Sequence, residues 1–429
     1  YDIASCLVGS EMCIRDSCPE PAMPPASPIT TRSIAVERPL APWLWTLLLL
    51  VVVCLPRISI DLYLPALPAM ADQLGASDAQ LQLTLSLYML GYALSMLLGG
   101  PLCDRYGRRP VLLAGTALFL AASLACMLAA SVEVLMGARL LQALGGCCGT
   151  LVGRVMVRDR CPPEEQPRLL GLLSMGIALS PMLAPPLGSL IEQLLGWRGL
   201  FLCLSLVAAA AWLLMFKRLA ETRPPQLAPV AVKSLPRLYL RLLGEAYFMR
   251  YSLAIGCLYC TYFPFIVQSP ALLQRQLGLS PTAYALVFAA TVAGYLMGSR
   301  LFQRLGGRHS ADRLITAACL LNLAGAGLLL LTRSLWPDSL WAIVLPMLAL
   351  MLSVGLAIPA CQLAILQPYA AVAGTASGLF FFIQMAMTAG CGLLASFLAD
   401  SPAGSLQALT GLFSLALGLA WWCLRPRRQ

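Results

Sequence analysis

The sequence predicts an all-α polytopic membrane protein in which twelve transmembrane helices form two six-helix halves. Of its 429 residues, 59% are hydrophobic and only 11% are charged, less than half the charged share of a typical soluble domain. Apolar stretches of about 20 residues, long enough to cross a bilayer core as a helix, recur between short polar connections. The chain also repeats itself internally. Most of its surface is therefore expected to face lipid.

The chain begins with a segment, 1–41, that mixes proline, serine and isolated charges. This segment lacks the basic-then-apolar pattern of a secretory signal peptide, so we expect no cleaved signal. Residues 1–17 resemble translated vector sequence, although a disordered cytoplasmic tail fits the composition equally well. We therefore predict that 1–41 is disordered or non-native and takes no part in the fold.

The predicted helices fall into two sets of six, separated by a polar break. The first set occupies about 43–65, 80–101, 110–130, 134–155, 168–191 and 197–216. The second set occupies about 247–268, 282–302, 312–332, 339–361, 373–398 and 405–424. Proline and basic residues dominate the break. We therefore predict an N-terminal half at 42–218, a cytoplasmic linker at 219–245, and a C-terminal half at 246–429 with a short basic tail.

Charge asymmetry orients these helices. One set of alternate connections holds most of the loop lysines and arginines, including Arg105, Arg108, Arg109, Arg154, Arg158, Arg160, Lys217, Arg218, Arg223, Lys233, Arg237, Arg241, Arg304, Arg308 and Arg313. The opposite connections contain mainly carboxylates. Because basic loops stay in the cytoplasm, we expect cytoplasmic N and C termini. These loops also account for the net charge of +10, so nucleic-acid binding is not expected.

The two predicted halves repeat each other. A shift of 199 residues places Gly99 on Gly298 and Arg105 on Arg304, each at the basic end of the second helix of its half. The same shift superposes the small residues that precede them. Parallel repeats of six helices are an architecture of transporters, so the repeat favours transport.

The connection between the second and third helices resembles the signature loop of the major facilitator superfamily. Its candidate gating residues are Gly100, Asp104, Arg105, Gly107, Arg108 and Arg109. Gly107 permits a tight turn, and Asp104 can face a helix N-terminus. The resemblance implies that Asp104 meets the start of the eleventh helix, near 374–377, and latches the halves in the outward-facing state. Asp159 is a candidate ion partner for the arginines. A basic loop that only sets topology is the alternative.

A ridge of small residues lines the fifth helix, where every fourth position is small, at Gly176, Ser180, Ala184 and Gly188. Such a ridge lets another helix pack closely. The stretch 176–181, which ends in Pro181, resembles the antiporter motif of the superfamily, with Ser180 in place of the usual glycine. This resemblance implies an exporter, with Gly176 and Pro181 in conformational gating. Ordinary close packing with a proline kink is the alternative.

Charged residues inside apolar spans carry the strongest functional signal, because each costs about 3 kcal/mol or more at the bilayer centre. Asp61 and Arg139 are two such residues, predicted at similar depth in the first and fourth helices. A pair that separates when Asp61 takes up a proton is the minimum chemistry of proton coupling. The alternative is a local pair between Arg57 and Asp61, four residues apart on one helix, that merely permits insertion.

Three further stretches, 59–68, 139–146 and 154–159, are similar to the bicyclomycin and chloramphenicol resistance (Bcr/CflA) branch of drug:proton antiporters. The resemblance spans about 43–425. It implies efflux from the bacterial inner membrane, driven by the proton gradient, with Asp61 and Arg139 as coupling residues. Arg57 is not expected from this resemblance.

Aromatic and amide side chains predict a substrate cleft. The candidate substrate-binding residues are Tyr63, Tyr88, Tyr92, Gln142, Tyr259, Tyr262, Phe263 and Gln384. A cleft lined by aromatic rings with few polar groups suits amphiphilic drugs. Helix packing is the alternative role for each residue.

The sequence thus predicts proton-coupled efflux of small amphiphilic drugs or metabolites by alternating access. A proton-coupled symporter for uptake of a nutrient or metabolite is the alternative, and a non-transporting sensor or channel has less support. His309 is the only histidine, no pair of CxxC motifs occurs, and phosphate-cradling or nucleophile motifs are absent. We therefore expect neither an enzyme nor a metal or other cofactor. The expected partners are the lipid bilayer, protons and a small-molecule substrate, and we expect a functional monomer.

Overall fold

A helix satisfies its own backbone hydrogen bonds, which is why long apolar stretches in a membrane fold as helices. The computed structural model describes residues 41–162, 164–223, 235–306, 308–366, 368–369, 373–399 and 401–424. The predicted segment 1–41 lies outside these residues except for its last position, and so does the basic tail from 425 onward. The middle of the predicted linker, 224–234, is also outside them.

The N-terminal half contains α1 (Pro42–Asp61), α2 (Leu67–Leu74), α3 (Asp78–Tyr106), α4 (Arg108–Met127), α5 (Val132–Arg160) and α6 (Gln166–Arg218), with a 3₁₀ turn at Leu64–Ala66. The rest contains α7 (Leu235–Gly244), α8 (Ala246–Ser269), α9 (Pro281–Leu305), α10 (Ala311–Leu335), α11 (Trp341–Leu366), α12 (Ala373–Phe397) and α13 (Pro402–Cys423), with a π-helical turn at Pro270–Gln276.

The described residues cross the membrane twelve times, as predicted. Eleven helices are long and apolar enough to span a bilayer, and one of them, Arg168–Arg218 within α6, has 51 residues. A helix of that length measures about 75 Å, more than twice the apolar thickness of a bilayer. Gly196 interrupts α6 with φ 69° and ψ 175°, a conformation that glycine adopts without strain. Residues 166–195 and 197–218 are therefore two separate crossings.

Three elements were not predicted from the sequence. Helix α2 lies between the predicted first and second crossings. Helix α7 lies within the predicted linker and is short and amphipathic, with Leu242 buried and Arg241 exposed. The π-helical turn at Pro270–Gln276 extends α8 beyond its predicted end. All three elements lie at the edge of the apolar span, where hydropathy alone does not show at which residue a helix ends.

Helix packing follows the same order in both halves. The neighbours α3–α5, α4–α5 and α1–α6 in the first half correspond to α9–α11, α10–α11 and α8–α13 in the second. The halves meet mainly through α3 against α12 and through α6 against α9. These two contacts correspond to each other, because α3 matches α9 and the first crossing of α6 matches α12.

The apolar core shows which side of the molecule is closed. On the outer side, opposite the linker, one continuous cluster joins both halves, with Leu64 and Leu85 from one half and Phe265 and Phe288 from the other. Toward the linker side the halves have separate clusters, one around Leu49 and one around Ile255. The two halves therefore share one buried apolar core on the side opposite the linker and have separate buried cores on the linker side.

Candidate functional site

Asp61 is the last residue of α1 and is completely buried, with 0% of its surface exposed. Its Oδ2 atom accepts hydrogen bonds from Arg57 Nε at 3.1 Å and from Ser180 Oγ at 2.9 Å. Its other oxygen, Oδ1, is buried and has no hydrogen-bond partner among the described residues. A buried carboxylate with half of its acceptor capacity unused is costly to keep charged, so it is suited to exchange a proton.

Arg57 joins the two halves. Its Nε atom pairs with Asp61, one helical turn away, while Nη1 donates to the hydroxyl of Tyr259 in α8 at 2.5 Å. Its side chain is 15% exposed, whereas that of Asp61 is fully enclosed. Sequence reasoning missed the contact with Tyr259, because no local pattern relates residues 202 positions apart.

Arg139 in α5 is also completely buried. Its Nη1 atom donates to Gln142 Oε1 at 2.6 Å and to Ser59 Oγ at 2.9 Å. Its guanidinium lies over the rings of Tyr63 and Tyr88, 4.6 and 4.3 Å from their centroids. Cation–π contacts contribute about 2 kcal/mol when desolvated, so the two rings offset part of the cost of burying this charge.

One edge of Arg139 is unused. Nε and Nη2 are buried and have no hydrogen-bond partner in the described part of the chain. These two N–H groups point in parallel, and this is the edge with which arginine binds a carboxylate or another pair of acceptors. The site therefore holds both unused donors and an unused acceptor.

The predicted pair between Asp61 and Arg139 is not present in this structure, which corrects that part of the sequence interpretation. Asp61 pairs with Arg57 instead, the alternative left open above. The reason is local: four residues along α1 bring Arg57 and Asp61 onto one face. Arg139, in contrast, is held by Gln142 and Ser59.

Small residues bring the helices of the site together. A Cβ atom at Gly149 of α5 would lie 2.6 Å from Val52 Cγ1, and one at Gly176 of α6 would lie 2.6 Å from Cys54 Sγ. A Cβ at Gly188 would collide with the carbonyl oxygen of Leu62. The predicted ridge of α6, together with Gly149 of α5, thus packs against α1 and the residue that follows it. Pro181 lies inside α6, next to the Ser180 hydroxyl that contacts Asp61.

Several predicted substrate residues support charged groups. Tyr63 and Tyr88 cover Arg139, and Gln142 accepts from it while donating to Ser123 Oγ at 2.8 Å. Tyr259 binds Arg57. The prediction was that these four side chains face the substrate. In this structure they contact arginine side chains of the protein.

The remaining predicted substrate residues have freer polar groups or pack in the core. Tyr262 and Gln384 are buried, and the Tyr262 hydroxyl and Gln384 Oε1 lack hydrogen-bond partners among the described residues. Tyr92 is partly buried, and Phe263 is fully buried. Of the eight candidates, Tyr262 and Gln384 thus keep polar groups that a ligand can use.

The basic loop between α3 and α4 is held by carboxylates. Arg108 is buried, and its Nε donates to Asp159 Oδ2 at 2.8 Å, so the expected ion pair is present. Its Nη1 lies 3.4 Å from Asp104 Oδ1. Gly107 turns the chain with φ 96°, a value that favours glycine. Around it, Gly100 and Arg105 make few polar contacts, with Arg105 lying over the ring of Tyr106.

Sequence reasoning missed Glu221, which follows the sixth crossing. Its carboxylate accepts from the backbone N–H of Arg108 at 2.9 Å and from that of Arg109 at 3.0 Å, capping the N-terminus of α4. Arg109 also donates to the Phe216 carbonyl at 2.8 Å. Glu221 is a carboxylate in an otherwise basic connection, and that contrast was the available signal.

Asp104 was expected at the start of the eleventh helix, now α12. In this structure Asp104 contacts Arg108, and no hydrogen bond joins it to the described residues Thr375, Ala376 or Ser377. Its side chain is 41% exposed. The resemblance assigned that latch to the outward-facing state, whereas here the outer side is closed.

Comparison with known proteins agrees with this architecture. Residues 49–392 match the family model described as Major Facilitator Superfamily. The chain is 30% identical to Multidrug resistance protein D of Escherichia coli strain K12, over 89% of this chain and 95% of that protein. It is also 30% identical to a Chloramphenicol resistance protein of Pseudomonas aeruginosa, over 79% and 80% of the two chains.

A solved structure supports the fold. The structure of a D-xylose-proton symporter superposes with a TM-score of 0.68 and covers 89% of this chain and 98% of that one, at 15% sequence identity. At that identity the likeness concerns the fold alone.

Proposed function

The chain belongs to the Major Facilitator Superfamily, and we propose that it exports small amphiphilic drugs or metabolites across the bacterial inner membrane in exchange for protons. It is a multi-pass membrane transporter. Relatives named for multidrug and chloramphenicol resistance support export as its direction of transport. We further propose that a single chain is sufficient, because both halves that border the site belong to it, and that its termini are cytoplasmic.

The observation that carries the proposal is the environment of Asp61. It is the one carboxylate that the described helices bury completely, and its Oδ1 atom has no partner there. Ser180, which holds its other oxygen, belongs to the stretch of α6 that resembles an antiporter motif. When Asp61 gains or loses a proton, the net charge changes beside Arg57, which contacts the other half.

The proposed cycle uses this change. With the outer side closed, as in this structure, Asp61 releases its proton toward the inner side and substrate enters from there. The halves then rock, substrate leaves on the outer side, and Asp61 takes up a proton from that side. The gradient of protons supplies the energy, so no cofactor is needed.

The surroundings suggest which substrates fit. Asp61 is offset by Arg57, so Arg139 adds a positive charge with two unused N–H donors. Around these charges the surface is aromatic and apolar. We propose uncharged amphiphilic substrates with oxygen acceptors, which these donors can bind without introducing a second buried cation.

Transport by purified protein in proteoliposomes tests this function. With an imposed pH gradient, wild-type protein is expected to move chloramphenicol-type drugs against their concentration gradient, and Asp61→Asn is expected to lose this active transport. Asp338→Asn is the matched control, since Asp338 is an exposed carboxylate in the connection between α10 and α11. Drug flux that ignores the pH gradient, or that survives Asp61→Asn undiminished, contradicts the proposal. Accumulation in the same direction as the protons would indicate a symporter.

A further inference from the structure

We infer that Arg57 is a positioning residue that transmits the charge state of Asp61 to the C-terminal half through the hydroxyl of Tyr259. The inference rests on the proposed function, and concerns how proton exchange at Asp61 changes the contact between the halves. Its basis is that one guanidinium holds both groups at once, Asp61 at 3.1 Å and Tyr259 at 2.5 Å.

The position of this contact is the first argument. Among the described residues, hydrogen bonds also join the halves nearer the outer surface. Gln82 Nε2 donates to Gln268 Oε1 at 2.8 Å, and Gln274 Nε2 donates to the Pro65 carbonyl at 3.2 Å. Tyr259 lies near the middle of α8, whereas Gln268 and Gln274 lie at and beyond its outer end. Of these three hydrogen bonds, that of Arg57 lies farthest from the outer surface. Farther toward the linker, the Tyr239 hydroxyl of α7 donates to the Leu97 carbonyl at 3.4 Å.

Burial is the second argument. Asp61 cannot move toward water, because it is fully enclosed, but Arg57 is 15% exposed and has a long flexible side chain. When Asp61 is charged, the ion pair fixes Arg57 so that Nη1 points to Tyr259. When Asp61 is protonated, the guanidinium loses its counter-charge, and water becomes the better environment for it. Its withdrawal breaks the bond to Tyr259.

The surroundings of Asp61 leave this role to Arg57. Arg57 on its own helix and Ser180 on α6 contact the carboxylate, while Tyr262 on α8 and Tyr284 on α9 are near enough to interact with it electrostatically. Ser180 stays within the N-terminal half, and the Tyr262 hydroxyl makes no hydrogen bond in the described part of the chain. Tyr284 contacts Ser269 at 3.1 Å within the C-terminal half. Of these groups, Arg57 connects Asp61 to the other half.

The consequence is that a charged, substrate-free site keeps the outer side closed. A transporter that has released its proton to the inside then stays closed to the outside until substrate enters. The sequence predicted Tyr259 as a substrate contact. Here its hydroxyl has a different role, because it accepts the hydrogen bond through which the charge state of Asp61 affects the second half.

The test measures the distance between the outer ends of the halves as a function of pH. Spin labels are placed at Ala130, between α4 and α5, and at Asp338, between α10 and α11, both of which are exposed. Genetically encoded amino acids carry the labels, because the chain has 16 cysteines. Wild-type protein in lipid nanodiscs is expected to hold the short distance at high pH and to lose it partly at low pH.

Tyr259→Phe removes the hydroxyl alone. At high pH this variant is expected to lower the ratio of short to long distances by about tenfold. The reason is that a hydrogen bond to a charged group contributes about 1.5 kcal/mol or more. Asp61→Asn is expected to fix that ratio at the low-pH value of the wild type. Tyr247→Phe is the matched control, because Tyr247 lies on the same helix as Tyr259 and its hydroxyl donates to the Ala364 carbonyl at 3.3 Å within the C-terminal half. This variant is expected to behave as the wild type.

The inference is overturned if Tyr259→Phe keeps the wild-type response to pH, or if the wild type shows no response. Failure of the proposed function has a different signature, since wild-type export would then ignore the pH gradient in proteoliposomes whatever the distances show.

Discussion

The two halves bury polar networks in corresponding positions, but only one of the networks is charged. In the C-terminal half, Asn322 of α10 donates to Thr261 at 3.0 Å and to Ser353 at 2.9 Å, and accepts from Ser414 at 2.7 Å. In the N-terminal half, the matching helices α1, α4 and α5 supply Ser59, Ser123, Arg139 and Gln142. The shift of 199 residues places Asn322 on Ser123 of α4, so the networks lie in matching positions. In the N-terminal half, however, the buried charge comes from Arg139 on α5.

The difference lies in what is left unsatisfied. The side-chain amide of Asn322 uses both its donors and its acceptor, and every member of its network is neutral. Arg139 and Asp61, in contrast, keep unused donors and an unused acceptor. A satisfied neutral network fixes helices, whereas an unsatisfied charged one costs free energy that a change of protonation, partner or ligand relieves. This contrast is why we expect proton exchange in the first half, and a mainly structural role for the Asn322 network in the second half.

Among the substitutions that test this contrast, we expect Arg139→Lys to reduce transport most. Arg139→Lys keeps the charge but loses the planar fork, so it can no longer hold Ser59 and Gln142 while offering a second edge. We expect active drug transport to fall by about 100-fold, because hydrogen bonds of a charged group contribute about 1.5 to 3 kcal/mol each and both contacts of Nη1 are disturbed. Initial rates of drug uptake into inverted vesicles measure this. A lysine variant with near-normal rates would show that the unused edge has no role.

A smaller effect is expected at Ser180. Ser180→Ala removes the hydrogen bond to Asp61 Oδ2 but leaves the ion pair with Arg57 in place. A hydrogen bond to a charged group contributes about 1.5 to 3 kcal/mol, so we expect transport to fall by roughly tenfold and its pH profile to shift. Ser189→Ala is the control, because Ser189 lies on the same helix and its contacts are with Gln193 and Thr282. Equal effects of the two substitutions would mean that packing of α6, and not the bond to Asp61, is what matters.

The smallest effect on transport is expected from Asn322→Leu, which removes the centre of the C-terminal network. Thr261 and Ser353 keep hydrogen bonds to carbonyls of their own helices, to Leu258 and Leu350. Interhelical hydrogen bonds in membranes average about 0.6 kcal/mol, so three of them amount to roughly 2 kcal/mol of stability. Thermal unfolding in detergent is expected to show this loss, while transport per folded molecule changes less than about twofold. A loss of transport as large as that of Arg139→Lys would contradict a purely structural role for the Asn322 network.

The fold was predictable because its signals are local and repeated. Hydropathy placed every crossing, including the pair that α6 joins through Gly196, since twenty apolar residues in lipid have few alternatives to a helix. Helices α2 and α7 and the π-helical turn after α8 were not found, because they lie at the membrane boundary, where apolar runs are short.

The site was predictable in its residues but not in its pairings. A lone carboxylate in an apolar span identified Asp61, and an arginine in another identified Arg139. Which group meets which depends on the rotation and approach of helices, and these are set by contacts such as Gly149 with Val52. The bond from Arg57 to Tyr259 and the cap from Glu221 join residues far apart in sequence, so spacing could not reveal them.

The rings that enclose Arg139 also bear on how resistance mutations are interpreted. Tyr63 and Tyr88 have the character of drug-contacting residues, yet their faces are occupied by the guanidinium. A screen that scores cell survival on one antibiotic would assign them to specificity. Because the rings stabilise the buried charge of Arg139, we expect their replacement to impair transport of all compounds alike. A profile across chemically unrelated drugs would separate them from residues that select among substrates.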